Sequence, residues 1–87
     1  MLRVSVISPE ASLYEGDAES VVAPAFDGEV GILTGHAPLM TLLGKGDLRV
    51  NGAAGARRFA IEGGFLQVVD DQVRVVTERG SDLSASI

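Results

Sequence analysis

The sequence predicts an all-β domain in which two packed antiparallel sheets form a flattened β-sandwich with no substantial helix. Apolar and polar residues alternate at a period of two in several short stretches, and turn residues interrupt the chain at frequent intervals. Nowhere before residue 80 do apolar residues recur at spacings of three and four over the ten or more positions that a helix needs. Eight or nine short strands with such punctuation are the pattern of a sandwich or a flattened barrel.

In chain order, Val4 and Val6 alternate with Arg3 and Ser5, which makes Leu2 to Ile7 the first strand. Pro9 breaks the ladder, and a short strand from Leu13 to Glu15 is expected to end in a turn at Gly16-Asp17. Ala18 to Ala25 is extended. Phe26-Asp27-Gly28-Glu29 has turn chemistry in its middle pair, so Val30 to Leu33 closes a hairpin. Thr34 to Pro38 is a loop, Leu39 to Leu43 an apolar strand, and Gly44-Lys45-Gly46 another turn. Leu48 to Val50 is brief and half buried. Asn51-Gly52-Ala53-Ala54-Gly55 forms a hairpin tip, beyond which Phe59 and Ile61 alternate with Arg58, Ala60 and Glu62. Gly63-Gly64 predicts a bulge or kink before Phe65 to Val69, Asp70-Asp71 a tight turn, and Gln72 to Thr77 the final strand.

Eighty-seven residues are the length of one domain. We expect the sandwich to occupy residues 1–80 and residues 81–87 to form a short tail. The chain has no cysteine, which excludes a disulfide framework and thiolate metal sites. Its core is modest for its size, so a partner that binds the folded state would add stability. A formal charge of -5 opposes phosphate backbones and anionic lipid, which argues against nucleic acid. No apolar run approaches the roughly 18 residues of a spanning helix, and the start has no basic stretch followed by an apolar block. The expectation is a soluble chain that meets a membrane only through another protein.

Catalytic constellations are missing from the sequence. His36 is the only histidine, so a metal site would be mostly carboxylate and a triad would depend on that one residue. Gly44-Lys45-Gly46 lacks both the earlier glycine and the following Ser or Thr of a phosphate loop, and Gly28, Gly31 and Gly35 do not precede a helix. Asp27 with Glu29, and Asp70 with Asp71, are the carboxylate pairs that turns collect for solvation. Arg57 and Arg58 fall on opposite faces of a strand, which is no nucleic-acid stripe. No cofactor, metal or enzymatic activity of the chain itself is expected.

The segment from Asp27 to Leu39, DGEVGILTGHAPL, closely resembles the signature of the F-type ATP synthase epsilon subunit family. Ser8-Pro9-Glu10, Leu13-Tyr14-Glu15-Gly16 and Glu62-Gly63-Gly64-Phe65-Leu66-Gln67-Val68 follow the family's order and spacing, so the likeness runs from about Leu2 to Arg79. The resemblance implies a two-sheet fold and a non-catalytic place in the rotor, or central stalk, between the gamma subunit and the membrane c-ring. It implies that Asp27, Gly28, Glu29 and Gly31 face the c-ring, with Glu29 the principal contact, and that Ser8, His36 and Thr41 lie near gamma. Glycine permits close approach, and a protruding carboxylate can pair with basic loop side chains. The competing readings are ordinary turn geometry for Gly28 and Gly31 and a locally hydrogen-bonded loop histidine for His36.

The resemblance further implies a location on the cytoplasmic face of the bacterial plasma membrane, held there through the ring. Longer family members continue into two helices near Ser81 to Ile87. By that comparison, helix-mediated inhibition of hydrolysis and ATP binding are not expected of this chain. The alternative is a small ligand-binding or protein-interaction β-sandwich unrelated to the synthase. Such a module needs aromatic platforms, and only Tyr14 and three phenylalanines are available, with Phe59 and Phe65 at core-like positions.

Overall fold

The structure, a computed structural model, describes residues 1–52 and 55–83. Ala53 and Ala54 of the expected hairpin tip, and residues 84–87 of the expected tail, lie outside the described residues. Among the described residues there is no helix, and ten strands form the two sheets of a β-sandwich.

The strands are β1 (Leu2–Ile7), β2 (Ser12–Ala18), β3 (Ser20–Ala25), β4 (Gly28–Leu33), β5 (Leu39–Leu42), β6 (Lys45–Gly52), β7 (Gly55–Glu62), β8 (Phe65–Val69), β9 (Gln72–Val76) and β10 (Arg79–Asp82). The first sheet has the order β2-β1-β9-β8-β5 and the second β10-β7-β6-β3-β4. All pairings are antiparallel except β1 with β9, which lie parallel in the middle of the first sheet.

Period-two alternation sends Leu2, Val4 and Val6, Leu66 and Val68, and Val73 and Val75 inward from the first sheet. Val21, Ala23, Ile32, Leu48, Val50, Phe59 and Ile61 meet them from the second, and all are buried. Burial of apolar area between the sheets is the dominant stabilising term for this architecture.

Several expected boundaries move. Gly16-Asp17 is no turn: β2 runs through it to Ala18, with Val4 opposite Gly16 and Arg3 opposite Asp17. The turn between β3 and β4 is Phe26-Asp27, one residue earlier than expected, because Gly28 already pairs with Ala25 at a φ of 132°. Gly44-Lys45-Gly46 is a crossing point between the sheets, with Lys45 and Gly46 already in β6. Leu48 and Val50 are fully buried, where half burial was expected. Phe65 is half-buried on the outer side of β8, while Phe59 is in the core.

Thr77 does not end the strands, because β10 pairs with β7 from Arg79 opposite Glu62 to Asp82 opposite Phe59. This strand spans the 80/81 boundary expected from sequence. Asp70-Asp71 is the tight turn predicted, with both residues at positive φ (49° and 60°) as a two-residue hairpin loop of the primed type requires. Gly63-Gly64 carries the chain from the second sheet to the first, both residues again at positive φ.

Candidate functional site

The β3–β4 hairpin holds all four residues expected to face a ring. Asp27, Gly28, Glu29 and Gly31 are exposed at one edge of the second sheet. At Gly31 a side chain would meet open space, so packing does not require glycine there. At Gly28 the positive φ does, although the space beside it is also open. Glu29 is not a bare carboxylate. Its Oε2 lies 3.6 Å from Arg49 Nη2, a pair that leaves both side chains about half or more exposed.

Ser8, His36 and Thr41 do not converge. Ser8 is buried, and its hydroxyl serves its own turn, donating to the Ala11 carbonyl at 3.2 Å and accepting the Ala11 N–H at 3.3 Å. His36 Nδ1 is 2.6 Å from the Ala37 carbonyl, a local bond that requires the Nδ1–H tautomer. Its loop is tied to the β8–β9 turn, where Gly35 N–H donates to Asp71 Oδ1 at 2.7 Å. Ser8 lies at the opposite end, beyond Ile7, which pairs with Val76. Thr41 is half-buried and sits opposite the core residue Leu66, on the inner side of β5.

Between the chain neighbours of Thr41 and Ser8 runs one surface feature, on the outer face of the first sheet. Cross-strand register places Leu42 opposite Phe65, Phe65 opposite Val76, and Val76 opposite Ile7. That apolar row runs from the neighbour of Thr41 at one edge to the neighbour of Ser8. Met40, on the same face, is 63% exposed, as is Leu42, and Phe26 at the tip of the β3–β4 hairpin is 67% exposed. The hairpin touches the row directly, since Phe26 N–H donates to the Leu42 carbonyl at 3.0 Å.

The strand that carries Met40 and Leu42 is unusual among the four sheet edges. β2 carries Glu15 and Asp17 and pairs through a register shift, β4 carries Glu29 and two glycines, and β10 carries Arg79 and Asp82. These are the devices that discourage edge-to-edge association. β5, Leu-Met-Thr-Leu, has none of them.

The arrangement offers little for catalysis or small-molecule capture. Among the described residues no three His, Cys, Asp or Glu side chains gather to hold a metal. Tyr14 packs edge-on against buried Phe59 at a centroid distance of 6.2 Å, and the Arg57 guanidinium lies over both rings. Neither ring is therefore an open platform. Arg57 and Arg58 separate to opposite faces as the alternation implies, each ion-paired, with Asp82 and Asp47 respectively.

A sequence-family model described as ATP synthase, Delta/Epsilon chain, beta-sandwich domain matches residues 1–81. Among curated relatives, the ATP synthase epsilon chain of Leptospira borgpetersenii serovar Hardjo-bovis is 44% identical over 80 residues, covering 92% of this chain and 63% of that protein. The ATP synthase epsilon chain of Rhodopirellula baltica is 42% identical over 78 residues, covering 90% and 61%. The chain thus spans about three fifths of the length of these relatives. A chain of the Euglena gracilis mitochondrial ATP synthase, solved as OSCP/F1/c-ring, superposes with a TM-score of 0.87 at 22% identity, covering 99% of this chain and 56% of that one. One from the central stalk/c-ring of the Tetrahymena thermophila mitochondrial ATP synthase gives 0.76 at 17% identity, covering 97% and 68%. At such identities these two likenesses speak to the fold.

Proposed function

The chain belongs to the family of ATP synthase delta/epsilon-chain β-sandwich domains, and on that premise we propose that it is a non-catalytic part of the rotor, joining the gamma subunit to the c-ring and coupling ion flow to ATP synthesis. Gamma takes the outer face of the first sheet, beside Ser8 and Thr41, with His36 in the loop that leads into β5. Their own side chains are engaged locally, so the contact comes from the surface between them: Met40, Leu42, Phe65, Val76 and Ile7. The ring takes the hairpin of Asp27, Gly28, Glu29 and Gly31. Membrane association is indirect, through the ring, on the cytoplasmic face in a bacterial cell.

The apolar row of the first sheet, half-buried at Ile7, Phe65 and Val76 and exposed at Leu42 beside Met40 and Phe26, is the observation that carries this reading. Large apolar side chains exposed together mark an interaction surface in a folded chain, and here Met40 and Leu42 lie on an edge strand with no charge to repel a partner, with Phe26 beside them. The joint area buried against gamma and the ring is expected to exceed about 1,000 Å², the scale of a specific interface.

Pull-down from solubilised membranes tests the proposal. Gamma and the ring are expected to accompany the chain at ordinary salt, and failure to bind gamma at micromolar concentration overturns the rotor assignment. Glu29→Lys is expected to weaken coupling between ion flow and synthesis while the melting temperature stays put, because an exposed turn charge supports little of the core. A melting curve displaced as far as the activity would assign Glu29 to the fold and not to the contact.

A further inference from the structure

We propose that Arg49 is a specificity-determining residue of the hairpin contact, and that Glu29 and Arg49 together read a partner loop that offers a base beside an acid. This rests on the ring-facing reading of the hairpin given above. Arg49 is on β6, two strands away from Glu29, and its direction is set by its neighbours. Directly opposite it on β7 stands Arg58. Like charges at that separation repel, and each needs its own counter-ion. Arg58 has Asp47, with Nη2 to Oδ2 at 2.5 Å. Arg49 is thereby left the other way, across β3, where its row continues through Val22 to Gly31. Along that side the guanidinium reaches Glu29, on the neighbouring row, at 3.6 Å.

The pair is loose. Its separation is beyond hydrogen-bond reach, and the two side chains are 48% and 65% exposed, so little is lost when the partners separate. A surface that presents only a carboxylate would attract any cation. This one presents a negative and a positive group side by side, and a partner bearing only basic side chains would be repelled by Arg49. A loop with an acid beside a base can satisfy both groups in exchange for the internal pair. Charge order of this kind fixes register and rejects wrong partners more than it adds affinity.

The experiment measures association of the full chain with a solubilised gamma–c-ring subassembly, in parallel with thermal melting. Arg49→Ala and Glu29→Gln are each expected to weaken association about three- to tenfold, the double variant losing less than the product of the two. The charge-swapped variant, Glu29→Arg with Arg49→Glu, preserves the internal pair. It is expected to melt within about 2 °C of the parent, as surface changes do, yet to lose association by more than about tenfold. Charge-swapped protein that binds like the parent, or Arg49→Ala that binds normally while Glu29→Gln does not, overturns the role of Arg49. Normal binding by Glu29→Gln sinks the ring-facing hairpin itself, a distinct failure.

Discussion

Gly64→Ala is expected to destabilise this domain strongly, and the size of the effect can be worked from local geometry. Gly64 has a φ of +98°, where an L side chain is strained by about 1–2 kcal/mol. A Cβ there would overlap the Val76 carbonyl oxygen and lie 2.7 Å from Thr77 Cα. Both are backbone atoms of the adjoining strand end, so no rotamer change relieves the clash, and β9 must move relative to β8. Overpacking against a rigid neighbour adds about 1–3 kcal/mol or more. A total of about 2–5 kcal/mol compares with about 4–13 kcal/mol for the whole stability of a chain this long.

Circular dichroism melting should therefore show a midpoint lower by at least about 8 °C, at about 4–8 °C per kcal/mol for a domain of this size. Gly31→Ala is the control. No strained φ is involved and nothing lies within 4 Å of the added carbon, so its midpoint should hold or rise slightly. A Gly64→Ala midpoint within about 5 °C of the parent, or a Gly31→Ala loss of equal size, would refute the reasoning.

Leu42→Asp should leave the melting midpoint within about 3 °C, because the side chain is 63% exposed, while reducing gamma binding at least about tenfold in a pull-down titration. Loss of fold with loss of binding would remove Leu42 from the interface. Arg57→Ala removes the ion pair to Asp82 and the cation lying over Tyr14 and Phe59, and should cost about 1–2 kcal/mol in urea unfolding, with Arg57→Lys recovering part. Thr77→Val strips a buried hydroxyl that meets the Glu62 N–H and carbonyl and the Arg79 carbonyl, and should cost about 1–3 kcal/mol by the same assay. An unchanged midpoint for Thr77→Val would mean that the crossing from β9 to β10 is not held by this group.

Where residues alternated, the sequence was readable; where they did not, phase was lost. Val4 and Val6 set the inward side of β1, and the same phase puts Ser8 inward, as found. Leu39 to Leu43 is nearly all apolar, so nothing in it says that Met40 and Leu42 face outward and Thr41 inward. Only pairing with β8 settles that phase. β10 was invisible because Arg79-Gly80-Ser81-Asp82 has no apolar face. It is held by backbone pairing, by Arg57, and by a glycine whose added Cβ would sit 2.7 Å from Leu13 Cδ1. Arg49 was missed although a signal existed, since folding the chain about the tip at 51–55 sets residue 49 against 58 and exposes two facing arginines.

On the proposed reading, the two contacts meet different sheets: the ring touches a hairpin of the second and gamma the outer face of the first. Rotation passed between them must cross the sandwich, and apolar packing alone resists sliding poorly because it has no direction. Beside the hairpin, hydrogen bonds supply direction. Ala25 bridges Leu43, with Phe26 N–H donating to the Leu42 carbonyl at 3.0 Å and Gly44 N–H to the Pro24 carbonyl at 2.8 Å. Phe26 adjoins Asp27 at the hairpin tip, and Leu42 is a member of the apolar row. The ring-facing residues are thus one backbone bond from the gamma-facing ones, and load applied at the hairpin reaches β5 through main chain, without passing through the core.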